Sequence, residues 1–204
     1  MLRRLLQLYI GLVLYGVSTA LFVHANLGAD PWDVFHLGVA KQLGISFGTV
    51  IILTGAAVLL LWIPIRQMPG LGTVSNVIVL GLAADAPLAV LPPLESMVAR
   101  SALLAGAIVL NAIATGMYIG AGFGPGPRDG LTTGLHARTG WSLRGIRTAI
   151  ELSVLLIGWL LGGKFGVGTV IYALSIGPLI QLCLPWFSQP LSRNAVSPPR
   201  EIVS

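Results

Sequence analysis

The sequence predicts an all-α polytopic membrane protein. Three observations carry that prediction: scarce charge, long apolar runs, and one internal offset at which polar residues recur in order. Only 9% of the 204 residues are charged, 55% are hydrophobic, and the mean hydropathy is +0.87. A soluble domain carries about 25% charged residues, enough to cover a water-facing surface. This chain has too few.

Six apolar runs follow one another: Leu5 to His24, Phe47 to Ile65, Thr73 to Leu91, Ser101 to Gly122, Ile146 to Leu161, and Thr169 to Phe187. A membrane-crossing helix needs roughly 20 apolar residues, so each run is a candidate span. The net charge of +5 does not point to nucleic acid, because the arginines sit at the ends of apolar runs instead of alternating with aromatics. The lone Cys183 allows no intramolecular disulfide and no thiolate metal cluster. Residues 188–204 are Pro/Ser-rich and polar, and are expected to form a disordered cytoplasmic tail.

Two segments between the runs are not ordinary loops. Gly28-Ala-Asp-Pro-Trp-Asp leads into a stretch ending at Gly44, and Gly124-Pro-Gly-Pro-Arg-Asp-Gly-Leu into one ending at Gly140. Each reads as a short helix, Pro31–Leu43 and Pro127–Thr139. At 1.5 Å per residue such a helix spans about 20 Å, two-thirds of a hydrocarbon core.

The two segments are related. Asp33 and Asp129 lie 96 positions apart, and at that same offset Thr19 matches Thr115, Gly28 Gly124, Pro31 Pro127, Gly38 Gly134, Gly44 Gly140, Ser46 Ser142, Gly70 Gly166, Gly72 Gly168 and Thr73 Thr169. Matched Gly, Pro, Asp and Thr in order define a tandem repeat, residues 1–94 and 95–187. The N-terminus looks like a signal peptide, but it corresponds to Ser101–Gly122 and so belongs to the fold. Each repeat has three spans and one short re-entrant or half helix. Six full spans make the repeats inverted; if the short helices cross, eight spans make them parallel. Both arrangements put nine of the twelve Lys/Arg and both termini on the cytoplasmic side. Helix length favours six.

The openings of the short helices are the strongest functional signal. Asp30 is placed to cap the first, with Pro31 at its first position and Asp33 in its first turn; Gly126, Pro127 and Asp129 take those places in the second. Half-helix N-termini at membrane depth form substrate and ion sites in transporters. Asp33 and His36 share one stripe, as do Asp129, Thr132, Thr133 and His136. Asp85, inside the third run, has Gln181 as its counterpart, and the pair is expected to flank a common cavity. Asn76 and Asn111 are placed to bond across helices. Glu151 is spaced to pair with Arg147. Trp62, Trp159 and Trp186 near run ends read as interface anchors. In Pro69-Gly-Leu-Gly-Thr and Gly166-Val-Gly-Thr, the threonine can cap the following helix. Nothing matches a nucleophile elbow, a zinc-protease motif or a phosphate-binding loop, and no catalytic residue, cofactor or metal is expected.

At the two Gly/Pro–Asp segments and the stretch from Gly140-Trp-Ser to Gly168-Thr, the chain resembles the bacterial YczE/YitT-like membrane proteins. It is nearer the YczE branch, since Asp30-Pro31 departs from the Gly-Gly start of YitT-like short helices. The resemblance implies a multi-pass protein of the bacterial cytoplasmic membrane and supplies no binding residues. The expected function is a small-solute permease, or the substrate-binding membrane subunit of one, with a central cavity between repeats; the alternative is a non-transporting scaffold or regulator of a partner enzyme complex. The expected partners are the lipid bilayer and a small molecule or ion, with a second copy or another membrane protein left open.

Overall fold

The first apolar run folds as α1 (Leu2–Ala25) and ends where Asn26 turns left-handed at φ 54°. The chain then restarts as the short helix α2 (Pro31–Leu43). The Asp30 carboxylate accepts the Asp33 amide at 2.7 Å, Pro31 occupies the first turn, and Gly44 closes the helix at φ 67°. Next come α3 (Phe47–Ile65), capped by the Ser46 hydroxyl, α4 (Leu71–Val90) and α5 (Met97–Gly120). The second short helix is α6 (Pro127–Thr139), followed by α7 (Leu143–Leu160), capped by Ser142, and α8 (Val167–Phe187). This computed structural model describes residues 1–188, and those residues are all helix and connection, with no strand. The disordered tail expected for residues 188–204 falls almost wholly outside the described residues.

Five helices are long and apolar enough to cross a membrane: α1, α3, α4, α5 and α8. The remaining long helix, α7, has 18 residues and carries Arg144, Arg147 and Glu151. The short helices occupy residues 31–43 and 127–139, both bounds displaced by 96.

The ends of α1 and α5 cap each other. Arg4, at the start of α1, donates to the Ala121 carbonyl at 3.0 Å, just past the end of α5. Arg100, at the start of α5, donates to the Ala25 carbonyl at 2.8 Å and also to Asn26. The two helices therefore run antiparallel. Each arginine meets carbonyls that have no partner inside a helix, at the negative end of the helix dipole. Arg4 and Arg100 are themselves 96 positions apart.

A second reciprocal exchange fixes the short helices. The Gly72 amide donates to the Phe123 carbonyl and the Gly168 amide to the Leu27 carbonyl, both at 2.8 Å. Thr73 and Thr169 each accept the amide of the glycine three residues before, so these threonines do cap their helices. Gly28 (φ 112°) and Gly124 (φ 117°) lie against those same threonines, where a Cβ would stand 2.7 and 2.9 Å from a hydroxyl oxygen. Backbone conformation and proximity together demand glycine.

Long helices pack as α4–α1–α5–α8, around Phe22, Ala25, Leu104, Ala107, Ala112 and Tyr172. Each short helix lies on a long helix distant in sequence, α2 on α7 and α6 on α3. The Trp62 ring covers Gly130, and its indole N–H donates to the Pro127 carbonyl at 3.1 Å. Trp62 is 1% exposed, so it anchors α6 and not a membrane interface; the sequence reading is corrected because its position at a run end coincides with a helix–helix contact. Trp159 and Trp186 are exposed.

Asn111 ties three helices together, donating to Ser18 on α1 at 2.9 Å and accepting from Tyr172 on α8 at 3.3 Å. Interhelical hydrogen bonds in membranes contribute about 0.6 kcal/mol each, at most about 1.7. Asn111→Ala should therefore lower unfolding free energy by about 1–2 kcal/mol, measured by denaturant titration in detergent, without loss of membrane insertion.

Candidate functional site

The N-termini of α2 and α6 face each other through their side chains, and charge concentrates between them. Arg128, the second residue of α6, reaches across to α2. Its guanidinium lies 3.2 Å from the Asp30 carboxylate and 4.0 Å from that of Asp33, and sits 4.8 Å above the Trp32 ring. Asp33 also faces His36 Nδ1 at 3.3 Å, one helical turn on. Asp30, Asp33 and His36 are 6%, 2% and 1% exposed. His36 is enclosed by the rings of Trp32, Phe35 and Phe47. Charges buried this deeply persist only where partners replace water. Here the partners are one arginine shared by two carboxylates, the Asp33 amide on Asp30, and the positive ends of two helix dipoles, each about half a unit charge.

Asp129 stands apart from that network. Its carboxylate accepts the Tyr118 hydroxyl at 3.2 Å, and Tyr118 packs edge-on against Tyr15 with ring centroids 6.2 Å apart. Asp129 has no cationic partner within salt-bridge distance among the described residues. Arg147 and Glu151 border the same cavity as an ion pair with no net charge, so acids exceed arginines there by two, Asp30, Asp33 and Asp129 against Arg128.

These groups border a cavity of about 480 Å³. Asp30, Arg128, Asp129, His36, Tyr15 and Tyr172 line it, and further polar positions come from Asn76, Thr115, Thr132 and Gln181. Thr115 is 7% exposed, and its hydroxyl has no hydrogen-bond partner among the described residues. A second cavity, about 500 Å³, lies at the C-terminal end of α1 beside His24, Lys41 and Lys164, and no acidic residue among the described residues lines it.

The structure places the expected site residues unevenly. His36, Asp129, Thr132 and Gln181 border the cavity, and Asp33 sits directly behind it, holding His36 and Arg128. Thr132 spends its hydroxyl on the Arg128 carbonyl of its own helix, 3.1 Å away. Thr133 bonds the Gly130 carbonyl and His136 the Trp141 carbonyl; both are exposed and away from the cavity. Asp85 is elsewhere too. It accepts the Ser46 hydroxyl at 2.6 Å and the Gly48 amide at 2.7 Å, so it caps α3 from α4 instead of flanking the cavity with Gln181. An acid near the start of a neighbouring helix is drawn to its unpaired N–H groups. Asn111 bonds across helices as expected, and the Arg147–Glu151 pair forms at 2.9 Å.

Sequence reasoning did not select Arg128, Tyr15, Tyr118 or Tyr172. Arg128 lies between Pro127 and Asp129, at the depth already assigned to Asp129, and that was the available signal. Among the described residues no three His, Cys, Asp or Glu side chains are grouped to hold a metal ion.

Fold and site together define an all-helical integral membrane protein in which two short helices converge on a charged, aromatic-lined cavity. The chain belongs to a family whose matching model covers residues 2–185 and is described as a family of unknown function (DUF6198). It is 37% identical over 177 residues to an uncharacterized protein of Haemophilus influenzae, covering 87% of this chain and 81% of that one. It is 30% identical over 179 residues to the uncharacterized membrane protein YczE of Bacillus subtilis, covering 87% and 83%. The protein YyaS of Bacillus subtilis is 23% identical over 180 residues, covering 86% and 90%. The resemblance to YczE-like proteins is thus established. No solved structure matches the chain.

Proposed function

We propose that the protein is a small-solute permease, or its solute-binding membrane subunit, with no enzymatic step. The observation that carries this reading is the cavity where two half-helix N-termini meet, with a carboxylate, Asp129, that makes no salt bridge among the described residues. Discontinuous helices converging on a central site are the recurring construction of secondary transporters.

The reciprocal contacts support a duplicated architecture of inverted halves. Arg4 and Arg100 cap each other's helices, Gly72 and Gly168 bond each other's half-helix loops, and α1 opposes α5, its counterpart. Antiparallel counterparts imply an odd number of crossings per half. Six spans then come from α1, α3, α4, α5, α7 and α8, with α2 and α6 entering part-way and returning. Both termini lie in the cytoplasm on the arginine count. A scaffold has no need of a polar cavity, which weighs against that alternative.

One labelling experiment tests the reading. Single cysteines at Ala40, Ala137 and Thr115, in a Cys183→Ser background, are reacted with a charged thiosulfonate in intact and everted membranes. Ala40 and Ala137 should label from opposite faces. Thr115 should label through the cavity mouth and be slowed by Asp129→Asn, which changes the field the cationic reagent meets. Thr115→Cys silent from both faces means no solvated cavity and removes the permease reading.

A further inference from the structure

The two halves differ at one seam. In the first half α3 closes on α4. A Cβ at Gly81 would stand 2.6 Å from the Gly48 carbonyl, Gly55 lies against Val77, and Asp85 latches the start of α3. One 96-residue step later, Gly48 becomes Arg144, Gly55 becomes Glu151 and Asp85 becomes Gln181. No comparable packing joins α7 to α8 among the described residues. Gly177, the counterpart of Gly81, has no atom within 4 Å of where a Cβ would stand. Ala173, Gly177 and Gln181 are exposed where Val77 and Gly81 are buried.

These replacements keep the seam open. Close approach of α3 and α4 uses the missing side chains of Gly48 and Gly55, and no motion removes the side chains of Arg144 and Glu151. The central cavity extends into this opening, lined there by the Arg147–Glu151 ion pair and Ile150 of α7 and by Tyr172, Ile176 and Ile180 of α8. In a bilayer an open seam between two crossing helices faces acyl chains.

We propose that the cavity binds an amphiphilic organic cation that enters sideways from the bilayer through the α7–α8 seam. The head is held by Asp129 and the tail lies between the two helices; this rests on the solute-cavity reading above. Charge selects the head. Asp30 and Asp33 share Arg128 and Glu151 holds Arg147, while Asp129 has the Tyr118 hydroxyl and no salt bridge among the described residues. The rings of Tyr15, Tyr118 and Tyr172 line the cavity, and quaternary ammonium groups are drawn to aromatic rings. The unpartnered Thr115 hydroxyl in the same wall leaves a polar atom for a ligand or its water. The aliphatic side chains along the seam suit a hydrocarbon tail.

The test uses the full chain in phosphatidylcholine nanodiscs, reading thermal stabilisation by tetramethylammonium, hexyltrimethylammonium and dodecyltrimethylammonium, with dodecylmaltoside as the uncharged control. All three cations should stabilise the wild type, the dodecyl ion at the lowest concentration, and dodecylmaltoside should not. Asp129→Asn should remove all three effects. Gly177→Phe, which fills the seam, should raise the dodecyl concentration required by ~10-fold or more and leave tetramethylammonium within about twofold. If Gly177→Phe leaves the dodecyl ion unaffected while Asp129-dependent tetramethylammonium binding persists, the seam route is overturned and the solute-cavity reading stands. If no ammonium ion stabilises through Asp129, the cation is the wrong class, and Thr115→Cys labelling decides separately whether a solvated cavity exists. Disulfide-linked dimers of Gly177→Cys would make the seam a subunit interface and likewise overturn the proposal.

Discussion

Arg128→Met should lower the unfolding free energy by about 3–5 kcal/mol, the usual cost of removing one partner from a buried charge network. Among the described residues the guanidinium is the only Lys or Arg cation within salt-bridge distance of Asp30 and Asp33, at 3.2 and 4.0 Å, and both acids are more than nine-tenths buried. Methionine preserves much of the stem packing over Trp32 and removes only the charge and the fork of N–H donors. The triple variant Asp30→Asn, Asp33→Asn, Arg128→Met should recover most of the loss, because asparagine at position 30 still caps α2. Reversible SDS-titrated unfolding in mixed micelles measures each variant. A cost below about 1 kcal/mol for Arg128→Met alone would mean that cavity water already solvates the two carboxylates.

That network also shows where sequence reading stops. The bounds of both short helices were legible to the residue, because Asp30-Pro31 and Gly126-Pro127 at one end and Gly44 and Gly140 at the other are strong local signals, and the 96-residue offset made each confirm its partner. The depth of Arg128 was not legible in the same way. Charge counting assigns every arginine to a membrane face, and the rule has no place for one drawn inward by two carboxylates, the nearer of them in space 98 positions away in sequence. Without Arg128 the count on the side expected to be cytoplasmic falls to eight against three, so the charge rule still points the same way. Asp85 failed for the opposite reason: an acid inside an apolar run reads as a buried functional group, yet its partners, Ser46 and Gly48, cap a neighbouring helix and are nearly forty positions away. Tyr15, Tyr118 and Tyr172 lie within ordinary spans, where nothing in helical periodicity marks the face that borders a cavity.

The second large effect is an asymmetry between two equivalent glycines. Gly81→Leu should abolish or severely reduce the folded protein, whereas Gly177→Leu, 96 positions later, should fold and melt like the wild type. At Gly81 the new Cβ would meet the Gly48 carbonyl and the Ile52 side chain, both at 2.6 Å, and the remaining carbons have nowhere to go but into α3. Overpacking costs about 1–3 kcal/mol where side chains can yield, and more where the obstacle is backbone, as here. Separating α3 from α4 would also pull Asp85 from the Ser46 hydroxyl and the Gly48 amide, uncapping α3 in the same step. Gly177 has open space around it, and leucine is a better helix former than glycine by roughly 1 kcal/mol. The measurement is monodisperse yield after size exclusion together with the melting midpoint of each variant. Equal damage at both positions would show that α7 and α8 do close, and the opening between them would then be one state of a moving pair instead of a fixed feature of the fold.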